Sequence, residues 1–228
     1  MNKKLAPGVL TAALILTGCG TPPQQPIAMN SAALHAQGTR VGVALEVPKV
    51  DTVFPGAGCL LCLAAASVAN QSLTTYTQKL PTDDIAHIKS DLGEQLRKRG
   101  YTPVLLPDDF KIDSLPKGAG GPNKPKYDFS SLRGKYQIDE LVYVQITQLG
   151  ISRNYASYVP TGAPQATVLG QAYMVKLADN SFDWYATIRQ ERGAAGQWDE
   201  APNYPGLTNA YFQAVEGARD DVLKPFND

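Results

Sequence analysis

The chain has 228 residues, 43% hydrophobic and 18% charged, with 21 Lys+Arg balancing 21 Asp+Glu, three Cys and two His. That apolar content excludes a disordered or collagen-like chain, zero net charge gives no electrostatic basis for nucleic-acid binding, and three Cys are too few for a disulfide-built scaffold. No apolar run reaches the roughly 18–20 residues of a membrane-spanning helix.

The chain opens as a secretory signal does. Lys3 and Lys4 give a positive start, residues 5–16 a short apolar core, and small residues follow. Leu16-Thr17-Gly18-Cys19 resembles the lipobox of bacterial lipoproteins. The resemblance implies cleavage before Cys19, acylation of its thiol and, because Gly20 rather than Asp follows, export to the outer membrane. Each acyl CH₂ contributes about 0.8 kcal/mol, so several chains anchor firmly. The mature chain then has 228 − 18 = 210 residues, with 21 − 2 = 19 basic against 21 acidic groups. It has no polybasic patch, and the lipid alone is expected to hold it.

Residues 20–39 contain no charged side chain, and Pro22, Pro23 and Pro26 interrupt regular structure. They read as a flexible tether spanning about 25 Å as a coil. The expected organisation is a signal peptide over 1–18, a lipidated Cys and tether over 19–39, and one periplasmic domain over 40–228.

Within the domain, Val41, Val43, Leu45 and Val47 alternate in a first strand, closed by Pro48 and the Pro55-Gly56 turn. Residues 57–69 are apolar on all sides and predict a buried helix that surfaces toward Leu80. Thr82 then caps a helix whose stripe is Ile85, Ile88, Leu92 and Leu96, stopped at Gly100. Residues 101–106 form a second strand and 118–122 an exposed Gly-rich loop. A short helix near 129–136 follows, with Asp128 as its cap. Three long alternating runs, 140–152, 166–177 and 182–190, make a meander. A final helix over about 208–225 uses Phe212, Val215, Ala218, Val222 and Phe226.

This order predicts an α/β (or α+β) fold: one domain with a mixed sheet of about five strands covered by helices. With the lipidated Cys ahead of it, the order resembles the amino-terminal domain of TolB. It is similar also to the curli-secretion and penicillin-binding-protein-activator lipoproteins. The resemblance implies a domain that binds other proteins and carries no catalytic residues.

Catalytic patterns are scarce. His87, the one His of the domain, follows Asp83 and Asp84 on a helix with no G-x-S-x-G nucleophile motif, and reads as a solvated face. The pairs Asp83-Asp84, Asp108-Asp109 and Asp220-Asp221 point apart on helices and lack EF-hand spacing. Lys124 is followed by Pro125, so residues 118–124 are no P-loop. Cys59-Leu60-Leu61-Cys62 resembles a thioredoxin-type redox pair, but the flanking Leu and Ala imply burial, no Trp precedes it, and two thiols make half a zinc shell. It reads as a structural disulfide or two buried thiols, with thiol–disulfide exchange as the alternative. No cofactor or metal is called for.

The aromatics point to binding. Tyr155 and Tyr158 approach a tip at Pro160, and Trp198 and Tyr204 occupy a Pro-rich connection; such loop aromatics either anchor a partner or fold back as caps. The expected protein is a non-enzymatic, lipid-anchored outer-membrane protein that faces the periplasm. It docks there on an envelope protein through Tyr155, Tyr158, Pro160, Trp198 and Tyr204, binds no nucleic acid, and is a candidate homo-oligomer. The remaining alternative is a subunit of an oligomeric secretion channel.

Overall fold

The computed structural model describes residues 24–30 and 38–227. The expected signal segment, lipobox and lipidated Cys19 lie outside the described residues. The domain is a mixed α/β fold. Strands β1 (Arg40–Glu46), β2 (Asp51–Val53), β3 (Thr102–Leu105), β4 (Glu140–Ser152), β7 (Gln165–Lys176) and β8 (Ser181–Gly193) form the sheet, and β5 (Tyr155–Ala156) with β6 (Val159–Pro160) forms a small hairpin. The helices are α1 (Leu60–Ala69), α2 (Gln71–Thr77), α3 (Asp83–Ala86), α4 (Ile88–Lys98), α5 (Ser131–Tyr136) and α6 (Pro205–Leu223).

The sheet order is β3-β1-β4-β7-β8, with β2 also paired to β4. Strands β3, β1 and β4 are parallel, and β4, β7 and β8 are antiparallel. The parallel half is buried on both faces, so its strands are continuously apolar: Val41, Val43, Leu141, Val142 and Val144 are all inaccessible to solvent. One face carries α4 and α6, with Leu92, Leu96, Ala214, Val215 and Val222 in its core. The other is covered by the 106–138 connection, where Phe129 packs on Tyr143 and Tyr173.

Several expectations need adjustment. The 82–100 helix is present but divided at His87 into α3 and α4, and the Thr82 side chain makes no cap bond. The final helix starts earlier, because Pro205 occupies its first turn, where a missing N–H costs nothing. Phe212 on that helix is exposed rather than core.

The tether does not stand wholly free. Ile27 pairs with Tyr185 on the outer edge of β8 (N–O 2.9 and 3.1 Å), and Ile27 and Met29 pack on the two core faces.

The largest departure is α1. Its uniform apolarity implied burial, yet only Cys62 and Ala66 are buried, while Leu60 and Leu61 are 89% and 73% exposed.

Candidate functional site

The end of the sheet where β4 finishes and β7 begins carries most of the residues singled out in the sequence. Ser152 pairs with Gln165, which pairs with Gly193, so three strands end at one level. Beyond it, β2 continues as backbone pairing with the hairpin: Tyr155 N donates to Pro55 O (2.8 Å) and Ser157 N to Gly56 O (3.2 Å). The approach requires a glycine. Gly56 has φ +85°, and a Cβ there would lie 1.9 Å from the Tyr155 carbonyl oxygen.

Helix α1 starts directly after this junction. Cys59 is its N-cap, joined to Cys62 by a disulfide with Cα atoms 5.0 Å apart, and its Sγ accepts from Cys62 N at 2.9 Å. The pair therefore clamps the first helical turn. Cys62 is buried with Ala66, Ala57 and Tyr155 in a small separate core, while Cys59 is exposed, its Sγ 3.6 Å from the Tyr158 hydroxyl.

A polar and aromatic chain ties these parts together. Asn70, buried after α1, donates from Nδ2 to Ala66 O (2.7 Å) and to the Tyr155 hydroxyl (2.6 Å). Its Oδ1 accepts from Arg153 Nη1 at 2.7 Å. The Arg153 guanidinium lies over the Trp198 ring, 4.8 Å from its centroid, a favourable use of the ring quadrupole. Trp198 stacks parallel to Tyr204, which meets Tyr76, whose hydroxyl bonds Thr208 at 2.6 Å. Three separated segments, 66–76, 153–155 and 198–208, are thus held in one block.

The expected contact residues are placed unequally by this block. Tyr158 and Pro160 are exposed at the hairpin tip. Tyr155 is buried, with its ring edge-on to Phe54, so it supports the tip rather than presenting itself. Trp198 and Tyr204 are half-buried against the main core: they have folded back while leaving part of their surface open. The exposed leucines of α1 are the surface residues that the sequence reading missed. The available signal was the absence of charge: residues 52–78 and 154–175 contain no Asp, Glu, Lys or Arg.

His87 lines a hollow of about 310 Å³ with Asp84, Asp91, Phe212, Val215, Glu216 and Arg219, where Arg219 Nε bonds Asp91 at 2.7 Å and no Ser, Thr or Cys is present. Among the described residues no group of three His, Cys, Asp or Glu side chains is placed to hold a metal ion, and no helix is long and apolar enough to cross a membrane. An acidic cluster lies at the opposite end of the sheet, where burial and the nearby Asp183 push Glu140 up to about 7.

No family model and no curated protein matches the chain. Among solved structures it is similar to the PelC dodecamer from Paraburkholderia phytofirmans, at 10% identity and a TM-score of 0.35, covering 86% of this chain and 95% of that one. It is similar also to protein XCC0632 from Xanthomonas campestris, at 12% identity and a TM-score of 0.39, covering 87% and 88%. A third likeness is to lipoprotein GNA1162 from Neisseria meningitidis, at 13% and 0.28, covering 78% and 95%. Likenesses of this size fix neither family nor activity.

Proposed function

We propose that the chain is a non-enzymatic, lipid-anchored protein of the bacterial outer membrane whose periplasmic domain docks on a protein partner in envelope assembly, secretion or cell-wall maintenance. Cys19 carries the lipid. The hairpin tip, with Tyr158 and Pro160, and the open edges of Trp198 and Tyr204 form the docking end. The TolB-like and curli-secretion resemblance belongs to this reading through element order alone. The observation that carries the docking role is the braced, uncharged hairpin tip: Tyr158 stays exposed while its supports are locked by hydrogen bonds and stacking. A surface fixed in this way loses little side-chain entropy on binding.

Two measurements test it. Cys19→Ala should abolish acyl labelling and release the domain from membranes; labelling that survives the change removes the anchor. A photo-crosslinking residue at Tyr158 in intact cells should give a discrete adduct that is absent with the same residue at Lys98, and equal labelling at both positions removes the docking site.

The exposed sulfur of Cys59 favours a second reading, thiol–disulfide exchange. Rapid equilibration of the pair with glutathione would support it; a pair that stays oxidised is the helix clamp described above.

A further inference from the structure

The outward face of α1 is not explained by the domain's own packing. Cys62, Ala66 and Asn70, four residues apart, form its buried stripe, whereas Leu60, Leu61, Ala64, Ala65 and Val68 recur at the same helical interval on the outside. Val68 is 76% exposed and Leu63 45%. A stable monomeric domain rarely leaves its most apolar helix in water.

We infer that α1 is where two copies of this chain pair, through a two-fold contact that packs one α1 against the other. This rests on the docking reading and names one occupant of that end. Three observations carry it.

The first is charge. Identical surfaces meet across a two-fold axis, so a charge close to that axis faces its own copy; α1 and the hairpin beside it have none.

The second is size and shape. Leu60, Leu61, Leu63, Val68, Tyr158 and Val159, each exposed by roughly half or more, offer on the order of 700 Å² per copy, close to the ~800 Å² each partner brings to a standard interface. Large side chains at Leu60, Leu61 and Val68 flank the small Ala64 and Ala65, so an antiparallel pair interleaves large on small.

The third is the position of the anchor. Gln24 bonds Asn123 at 3.5 Å, and Asn123 O accepts from Phe182 N, which places residue 24 toward the β7–β8 turn. Gln24 is five residues after Cys19, about 17 Å of extended chain. From Tyr185 to Gly193 alone β8 rises on the order of 26 Å, and α1 lies beyond that end on the far side of β4. The anchor's reach therefore falls short of this face, so pairing through it does not compete with the lipid or with the Ile27 bridge.

The test uses full-length acylated protein in nonionic detergent. Two differently tagged copies carrying Leu61→p-benzoylphenylalanine should crosslink to each other, and wild-type protein at micromolar concentration should sediment as a dimer. Leu60→Asp with Leu61→Asp should weaken the dimer on the order of 100-fold while leaving the unfolding temperature of the dilute monomer unchanged, since both side chains are in solvent in the single chain; Val68→Lys is the second variant should that pair misfold. A monomer at every concentration overturns the inference, as do adducts formed only with lipid. Adducts formed only with a different polypeptide overturn self-pairing but leave the docking reading standing. Failure of crosslinking at both Leu61 and Tyr158 removes both.

Discussion

Asn70 Nδ2 donates to the Tyr155 hydroxyl at 2.6 Å across 85 residues of sequence, and so fastens the end of α1 to the root of the hairpin. The same carboxamide accepts from Arg153, so removing it strands a buried hydroxyl and one arm of a guanidinium together. Each buried group left unpaired costs about 1–3 kcal/mol. Asn70→Ala should therefore destabilise the domain by about 2–4 kcal/mol in urea unfolding, and expose the 154–162 hairpin to protease well below the global transition. A loss under about 0.5 kcal/mol would mean that the block is not held by Asn70.

The unequal legibility of this fold has physical causes. Strands β4, β7 and β8 were readable as long runs of strand-forming residues, and Asn180 marked the tight turn between β7 and β8. Helix α4 was readable from Ile88, Leu92 and Leu96, which repeat at the helical interval. Helix α1 was misread for the converse reason. With no polar face there is no periodicity, and apolarity alone states what a surface avoids, not which neighbour supplies the cover. The Arg153–Asn70 bond and the Arg153–Trp198 contact join residues 83 and 45 apart; no local pattern encodes such pairs. The docking of Ile27 on β8 was hidden by three prolines, which signal irregular chain but not where one bridge forms.

The opposite end of the sheet carries a pH dependence. Glu140 opens β4 beside Val41 and Lys176, and it is buried with Asp183 and Tyr101. Lys176 bonds Asp183 at 2.7 Å, while Glu140 Oε2, Asp183 Oδ2 and the Tyr101 hydroxyl have no hydrogen-bond partner. Burial first, and then the Asp183 carboxylate, raise Glu140 from about 4.5 to about 7, so the folded state holds a proton that the unfolded chain gives up. Folding stability is thus greatest below about pH 4.5 for this group and falls as pH rises through 7, by roughly 3 kcal/mol in all. Glu140→Gln should flatten that slope and make the domain more stable than wild type at pH 8. Unfolding curves at pH 5 and pH 8 for both proteins check this; parallel slopes would place the proton elsewhere.

Tyr158 and Trp198 separate surface from support at the docking end. Tyr158 is more than half exposed, with its hydroxyl 3.6 Å from the Cys59 sulfur, and Tyr158→Ala should shift stability by under about 0.5 kcal/mol. Trp198 is half-buried between the Arg153 guanidinium and the Tyr204 ring. Its truncation opens a gap on the main core, so Trp198→Ala should cost about 1–3 kcal/mol, below the 3–5 kcal/mol of a fully buried aromatic. Both changes should reduce photo-crosslinking from the adjacent Val159, Tyr158→Ala in a domain of wild-type stability and Trp198→Ala through a loosened hairpin. Trp198→Phe distinguishes the two routes, because it keeps a ring beneath Arg153 and should restore stability. Crosslinking restored with it makes Trp198 a brace for the tip; crosslinking still lost in the stable Phe variant makes the indole itself a contact. If Tyr158→Ala leaves crosslinking intact, the partner is held elsewhere, and the tip is only the end of a hairpin.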